Sequence, residues 1–267
     1  MRLSSFQGVV VLFIVKGVCE MLKRSKIISV LGALIFMMAA LVGAQAATPL
    51  SVERKAVEKK VRVEAPLNLA ILIQDDVIAR VGNEIPVTRE FINSLPAGSR
   101  VMVGYLRSGS LQVREPFTED LERAGRSLRI PVGSESVAPY NPYVEVIEAL
   151  RRFDNQGGNR NAILLVSDGL DTSHGFDISS AANTPDLLRA IREANKRNVS
   201  IYSFYTPTVG LTSRNSTAAS FGQSSLNRLS NETGGRAFFQ GLTAFVSFDP
   251  YFDGLRRALN EQYAAAH

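Results

Sequence analysis

The 267-residue chain has one cysteine, Cys19, two histidines, His174 and His267, and no tryptophan. With no thiol after position 19, the rest of the chain can form no disulfide, zinc–thiolate site or cysteine nucleophile. Cys19 itself fits a lipoprotein box poorly, because Lys16 and Val18 stand where an apolar and a small residue are wanted. His267 is the last residue, so imidazole chemistry within the chain rests on His174. No Gly-x-Ser-x-Gly nucleophile elbow is present. The turn after the first strand-like segment has no glycine until Gly82, so nothing there cradles a phosphate. Internal repeats and low-complexity tracts are also absent.

A dispersed basic surplus is missing too. The formal net charge is +5, but Arg2, Lys16, Lys23, Arg24 and Lys26 face only Glu20 in residues 1–46. Beyond position 46 there remain 25 basic and 24 acidic residues. Nucleic-acid binding thereby loses its main electrostatic support, and no nucleic-acid partner is expected.

What is present begins with an export signal. Lys23, Arg24 and Lys26 form a positive segment, Ile27 to Val42 an uncharged apolar run, and Ala44-Gln45-Ala46 a small-x-small cleavage box before Ala47. Residues 21–46 therefore read as a signal peptide and 1–20 as an upstream extension. Residues 47–63 read as a linker or edge strand, and 64–263 as the folded domain. An exported protein, periplasmic or extracellular, is expected, with membrane attachment only through an uncleaved leader.

From Leu67 onward apolar runs alternate with amphipathic segments, the pattern of an α/β fold. Strands are expected at Leu67–Ile73, Arg100–Leu106, Ala162–Val166, Val199–Tyr205 and Arg236–Phe239, with Leu111–Arg114 returning antiparallel after the Ser108-Gly109 turn. Helices are expected after Thr88, Thr118, Asn141, Thr184 and Asp249 and over Ser224–Glu232. The fold class is a doubly wound, mostly parallel, Rossmann-like sheet with one short antiparallel edge strand. Such sheets bind ligands at the carboxyl ends of their central strands. Two strands end there in acids, as Gln74-Asp75-Asp76 and as Ser167-Asp168-Gly169-Leu170-Asp171.

The run ILLVSDGLDT after YVEVIEALRRF, with a first strand LNLAILIQDD, resembles a von Willebrand factor A domain. More narrowly it is similar to bacterial exported proteins of the acidobacterial VWFA-related type. LPAGSRVMVGYLR, FTEDLERAGRSLR, SLNRLSNETGGRAFF and LRRALNEQY extend the likeness over residues 64–263. The resemblance implies a non-enzymatic protein-binding module, for adhesion or scaffolding, with loops Gln74–Pro86, Gly133–Asn141 and Ser167–Asn183 at one edge.

The family's metal-ion-dependent adhesion site uses Asp-x-Ser-x-Ser, a threonine and a later aspartate. Here the first run aligns with Gln74-Asp75-Asp76-Val77-Ile78, and the threonine position falls near Tyr140, with Ser134 and Ser136 out of register. Only Asp168 carries over. The site is degenerate, and no cofactor is expected. Asp75, Asp76 and Asp168 regrouped around a hard cation such as magnesium is the alternative to solvated or capping acids. A second metal pattern, Asp168, Asp171, His174 and Asp177, lies in an irregular loop. The alternative function is a hydrolase using the loop acids and His174 with Ser167 or Ser173.

Overall fold

The computed structural model describes residues 61–153, 159–175, 184–242 and 247–266. The extension, the signal peptide, most of the linker, Asp177 and Phe245 lie outside the described residues.

Six strands form one sheet in the order β3-β2-β1-β4-β5-β6. They are β1 (Leu67–Gln74), β2 (Arg100–Arg107), β3 (Ser110–Thr118), β4 (Arg160–Ser167), β5 (Val199–Tyr205) and β6 (Ala237–Phe238). All pairs are parallel except β2 with β3. β1 and β4 are parallel neighbours, with Ile73 opposite Val166, so both acidic strand ends emerge side by side at the switch point. This is the doubly wound sheet expected from the sequence. β3 runs longer than Leu111–Arg114, because the ladder resumes beyond register shifts along β2.

Each strand of the centre is buried on both faces, which is why it reads as a continuous apolar run. On one face Leu67, Leu69, Ile71, Ile73, Leu164 and Phe204 pack under α1 (Ile85–Asn93), α2 (Leu121–Ser127) and α6 (Asp249–Ala266). On the other, Ala70, Leu72, Ile163, Leu165 and Ile201 pack under α3 (Pro142–Leu150), α4 (Pro185–Lys196) and α5 (Ser216–Glu232). Phe248, Tyr251 and Phe252 are buried around Phe204, a core seam as their spacing suggested.

Two helix starts differ from the sequence expectation. Thr88 is inside α1 rather than at its cap. The proline in the first turn is Pro86, and the Thr88 hydroxyl donates back to the Glu84 carbonyl. α5 begins at Ser216, not Ser224, because Asn215 caps the N–H groups of Thr217 and Ala218. The segment STAASFGQ has few large apolar residues. Its helical face is made of Ala218, Ala219 and Gly222, chosen for close approach rather than hydrophobicity. A Cβ on Gly222 would lie 1.9 Å from the Asp168 carbonyl oxygen, so this helix presses directly on the β4 strand end. Residues 61–63 add no strand; instead Asn260 of α6 binds the backbone of Arg62 and Glu64.

Candidate functional site

The strand-end loops are fastened to one another by backbone. Ile78 donates to the Pro207 carbonyl, Val209 donates to that of Asp76, and Val77 bridges Thr208. On the other side Gly169, with φ 69°, sits where a Cβ would strike Leu226. Tyr143 of α3 donates its hydroxyl to the Gly169 carbonyl. Together these fix a cleft of about 210 Å³. Asp76, Asp168, Gln74, Thr208 and Glu135 supply its polar lining, and Pro139, Tyr140, Leu170 and Leu211 its apolar lining.

Of the three acids expected to group, the structure brings two together. Asp76 and Asp168 both line the cleft, 3% and 4% exposed. Asp75 points elsewhere. It is fully buried against Arg129, with N–O distances of 2.7 and 2.9 Å, and accepts from the Val132 N–H, while Arg107 stands 3.4 Å away. Tyr105 lies under the Arg129 guanidinium at 4.0 Å and donates its hydroxyl to the Arg129 carbonyl. Asp75 and Asp76 lie in the turn just past β1, where the backbone sends their carboxylates to different partners, Arg129 for one and Gln74 for the other.

The donors around Asp168 are already committed. Its Oδ2 accepts from the hydroxyls of Thr208 and Thr212, each at 3.0 Å, and its Oδ1 from the Leu170 N–H. Gln74 turns its carbonyl to Ser167 Oγ and the Asp168 N–H and its amide to Asp76 Oδ1. Gln74 is thus a neutral group that ties the two strand ends together. Val77 is wholly buried and bridged, and the Ser134 and Ser136 hydroxyls bond each other on the exterior. A hard cation asks for six or more oxygens; here both oxygens of Asp168, Oδ1 of Asp76 and the Gln74 carbonyl already accept from protein donors, which suits this set poorly to one. Among the described residues no three His, Cys, Asp or Glu side chains are placed to hold a metal.

Burial raises the acids of the cleft. Asp76 is pushed up to about 7 by desolvation and then by the charge of Asp168. Asp168 is also raised by burial, against the hydrogen bonds from Leu170, Thr212 and Thr208. Beneath the β2–β3 hairpin, Glu145 of α3 is fully buried with no hydrogen-bond partner for either carboxyl oxygen. Burial foremost lifts it to about 9, with the charges of Glu148 and Asp76 adding to the rise and the nearby Gly109 and Ser110 N–H groups, too poorly placed for full hydrogen bonds, opposing it.

His174 is exposed, and its Nδ1 lies 3.0 Å from Ser173 Oγ. Asp171 accepts from that same serine, at 2.6 Å, rather than from the imidazole. None of Asp171, Ser173 and His174 lines the cleft, and Ser167 is buried under Gln74. Thr208 and Thr212 were not foreseen. Their only signal is a threonine-rich stretch directly after β5, where the sheet's carboxyl edge lies.

No family model and no curated protein matches the sequence. Among solved structures, an aerotolerance-related membrane protein from Bacteroides fragilis is 12% identical, with a TM-score of 0.51, covering 73% of this chain and 99% of that one. BatB from Bacteroides thetaiotaomicron is 13% identical, at a TM-score of 0.49, over 74% and 99% of the two chains. The SpRpn10 VWA domain is 12% identical, at 0.40, over 66% and 92%. At these identities the likeness is one of fold. Six strands ordered β3-β2-β1-β4-β5-β6, with only β3 antiparallel and helices on both faces, give this chain a von Willebrand factor A-type fold.

Proposed function

We propose that the chain is an exported protein-binding module, not an enzyme, which engages a protein partner at the strand-end cleft without a divalent cation. The observation that carries this reading is the cleft's rim. Tyr140 is 63% exposed, beside Leu211 and Pro139, and Ile130 and Val132 stand exposed on the loop that Asp75 holds. Tyr140 also has φ 54°, an unfavourable conformation for a bulky residue, and its carbonyl accepts from Thr172. An aromatic held out to solvent on a rigid loop is the kind of anchor that interfaces use.

Against hydrolysis weighs the order of the exposed trio. A triad needs the imidazole between serine and acid, whereas Ser173 stands between Asp171 and His174. Export rests on the charged segment, apolar run and Ala-x-Ala box of residues 21–46. Among the described residues no helix is long and apolar enough to cross a membrane.

A photoreactive side chain placed at Tyr140 in the full chain, expressed in the cell envelope, should cross-link to a defined protein, with and without chelator. The same group at exposed Lys196, at the end of α4, is the control. Equal labelling from both positions, or labelling only when magnesium is supplied, would defeat the reading.

A further inference from the structure

We infer that the cleft receives a lysine side chain of the protein partner, its ammonium lying between Asp76 and Asp168 and its apolar neighbours on Tyr140 and Leu211. This rests on the binding reading above and adds the chemistry of the partner. The domain neutralises one strand-end acid internally, since Asp75 has Arg129. It leaves the other two without such a partner: among the described residues no basic side chain forms an ion pair with Asp76 or Asp168. At the rim Arg214 is held by Glu135, at 3.3 Å, and by the Val209 carbonyl.

Two nearly buried carboxyls without a counter-cation are costly, and a cation brought in from outside offsets part of that cost. Pro139, Tyr140, Leu170 and Leu211 line the cleft beside the acids, which suits an aliphatic stem with a charged head. Its chemistry separates lysine from arginine. A guanidinium seeks both oxygens of one carboxylate, and on Asp168 one of them already accepts from two threonine hydroxyls, so a fork would engage Asp76 alone. A compact ammonium needs no such fork and can contact both carboxyls at once. Asp168 Oδ1 and Asp76 Oδ1 each accept one bond and keep a second lone pair, which an ammonium's hydrogens can take one at a time.

The test is titration of the full chain, followed by NMR, with three blocked tripeptides: leucyl-lysyl-leucine, leucyl-norleucyl-leucine and leucyl-glutamyl-leucine. The lysine peptide should bind at least about tenfold more tightly than the norleucine one, a charge-assisted contact's worth. It should shift the amides of Leu170 and Val209, keep its affinity in chelator, and fall to the norleucine level in Asp76→Asn. Equal affinity for lysine and norleucine peptides on the unaltered chain, no binding of the lysine peptide, or binding of the glutamate peptide on addition of magnesium would each overturn the inference. Cross-linking from Tyr140 that persists alongside any of these results would sink the lysine assignment while leaving the protein-binding reading intact.

Discussion

Replacing Asp75 with alanine is expected to lower the stability of the domain by about 3 kcal/mol, the usual cost of breaking a buried pair by removing one partner. The resemblance to adhesion-site domains implied a place for Asp75 in the metal-binding run, yet every contact it makes is structural. Its carboxylate is wholly buried, holds Arg129 in a fork, and caps the Val132 N–H, while its own carbonyl accepts from Gly133. Losing it leaves the Arg129 guanidinium over Tyr105 without an anion and frees the loop that carries Ile130 and Val132. Urea unfolding should show the loss as a lower midpoint with an unchanged slope. Binding of the lysine peptide by the folded fraction should persist, because Asp76 and Asp168 are held by Gln74 and the threonines instead. A loss below about 1 kcal/mol, the range of an exposed ion pair, would mean that the loop is held by something other than Asp75.

The second large effect is a pH dependence. Glu145 is lifted to about 9 in the folded protein, against an ordinary value of 4.5. The folded state therefore holds the proton more tightly than the unfolded state across that window. The stability this contributes is fully present below pH 4.5, is lost as pH rises toward 9, and changes no further above it. Glu145→Gln mimics the neutral acid and removes this slope. At pH 8 the variant should be more stable than the parent by on the order of 2 kcal/mol, allowing for the relaxation of a real interior. Near pH 4 the two should match within a few tenths of a kcal/mol. Asp76 and Asp168 contribute slopes of the same sign, but they are common to both proteins and cancel in the difference. Identical pH profiles for parent and variant would show that the Glu145 carboxyl finds a donor or water that stabilises its charge.

Much of the fold is written in the apolar pattern. Strands buried on both faces leave largely apolar runs, unbroken in Ala162–Val166 and interrupted only by the buried Ser200 and Ser203 in Val199–Tyr205, and β5 begins and ends where its run does. Asn141 with Pro142 marks a helix start that the structure keeps, with Asn141 accepting from Tyr143. The misread starts have a shared cause. Thr88 is a capping residue type used inside a helix, and the first two turns of α5 pack by smallness against Asp168, which hydropathy does not register.

The site was legible only to the strand ends. Topology put Asp76 and Asp168 at one edge, but the turn after β1 sends the adjacent Asp75 to Arg129 instead, a distinction that a motif of consecutive residues does not carry. Thr208 and Thr212 come from beyond β5, and they reach Asp168 because the loop pairs with Val77. That pairing is a long-range backbone bridge between segments with no matching sequence pattern. His174 drew attention by rarity alone, and rarity says nothing about what the ring faces.

The account's central claim is that this strand-end site works without a divalent cation. The direct measurement is the melting temperature of the full chain with magnesium, manganese or calcium, each against chelator. A ligand at a hundredfold its dissociation constant adds about 2.7 kcal/mol of stability, enough to raise the melting temperature by several degrees. The account predicts no shift with any of the three ions, because the oxygens of Asp168 and Gln74 are already taken by Thr208, Thr212, Ser167 and the loop backbone. A metal-dependent rise that disappears in Asp168→Ala would contradict it and restore the cleft as a working adhesion site.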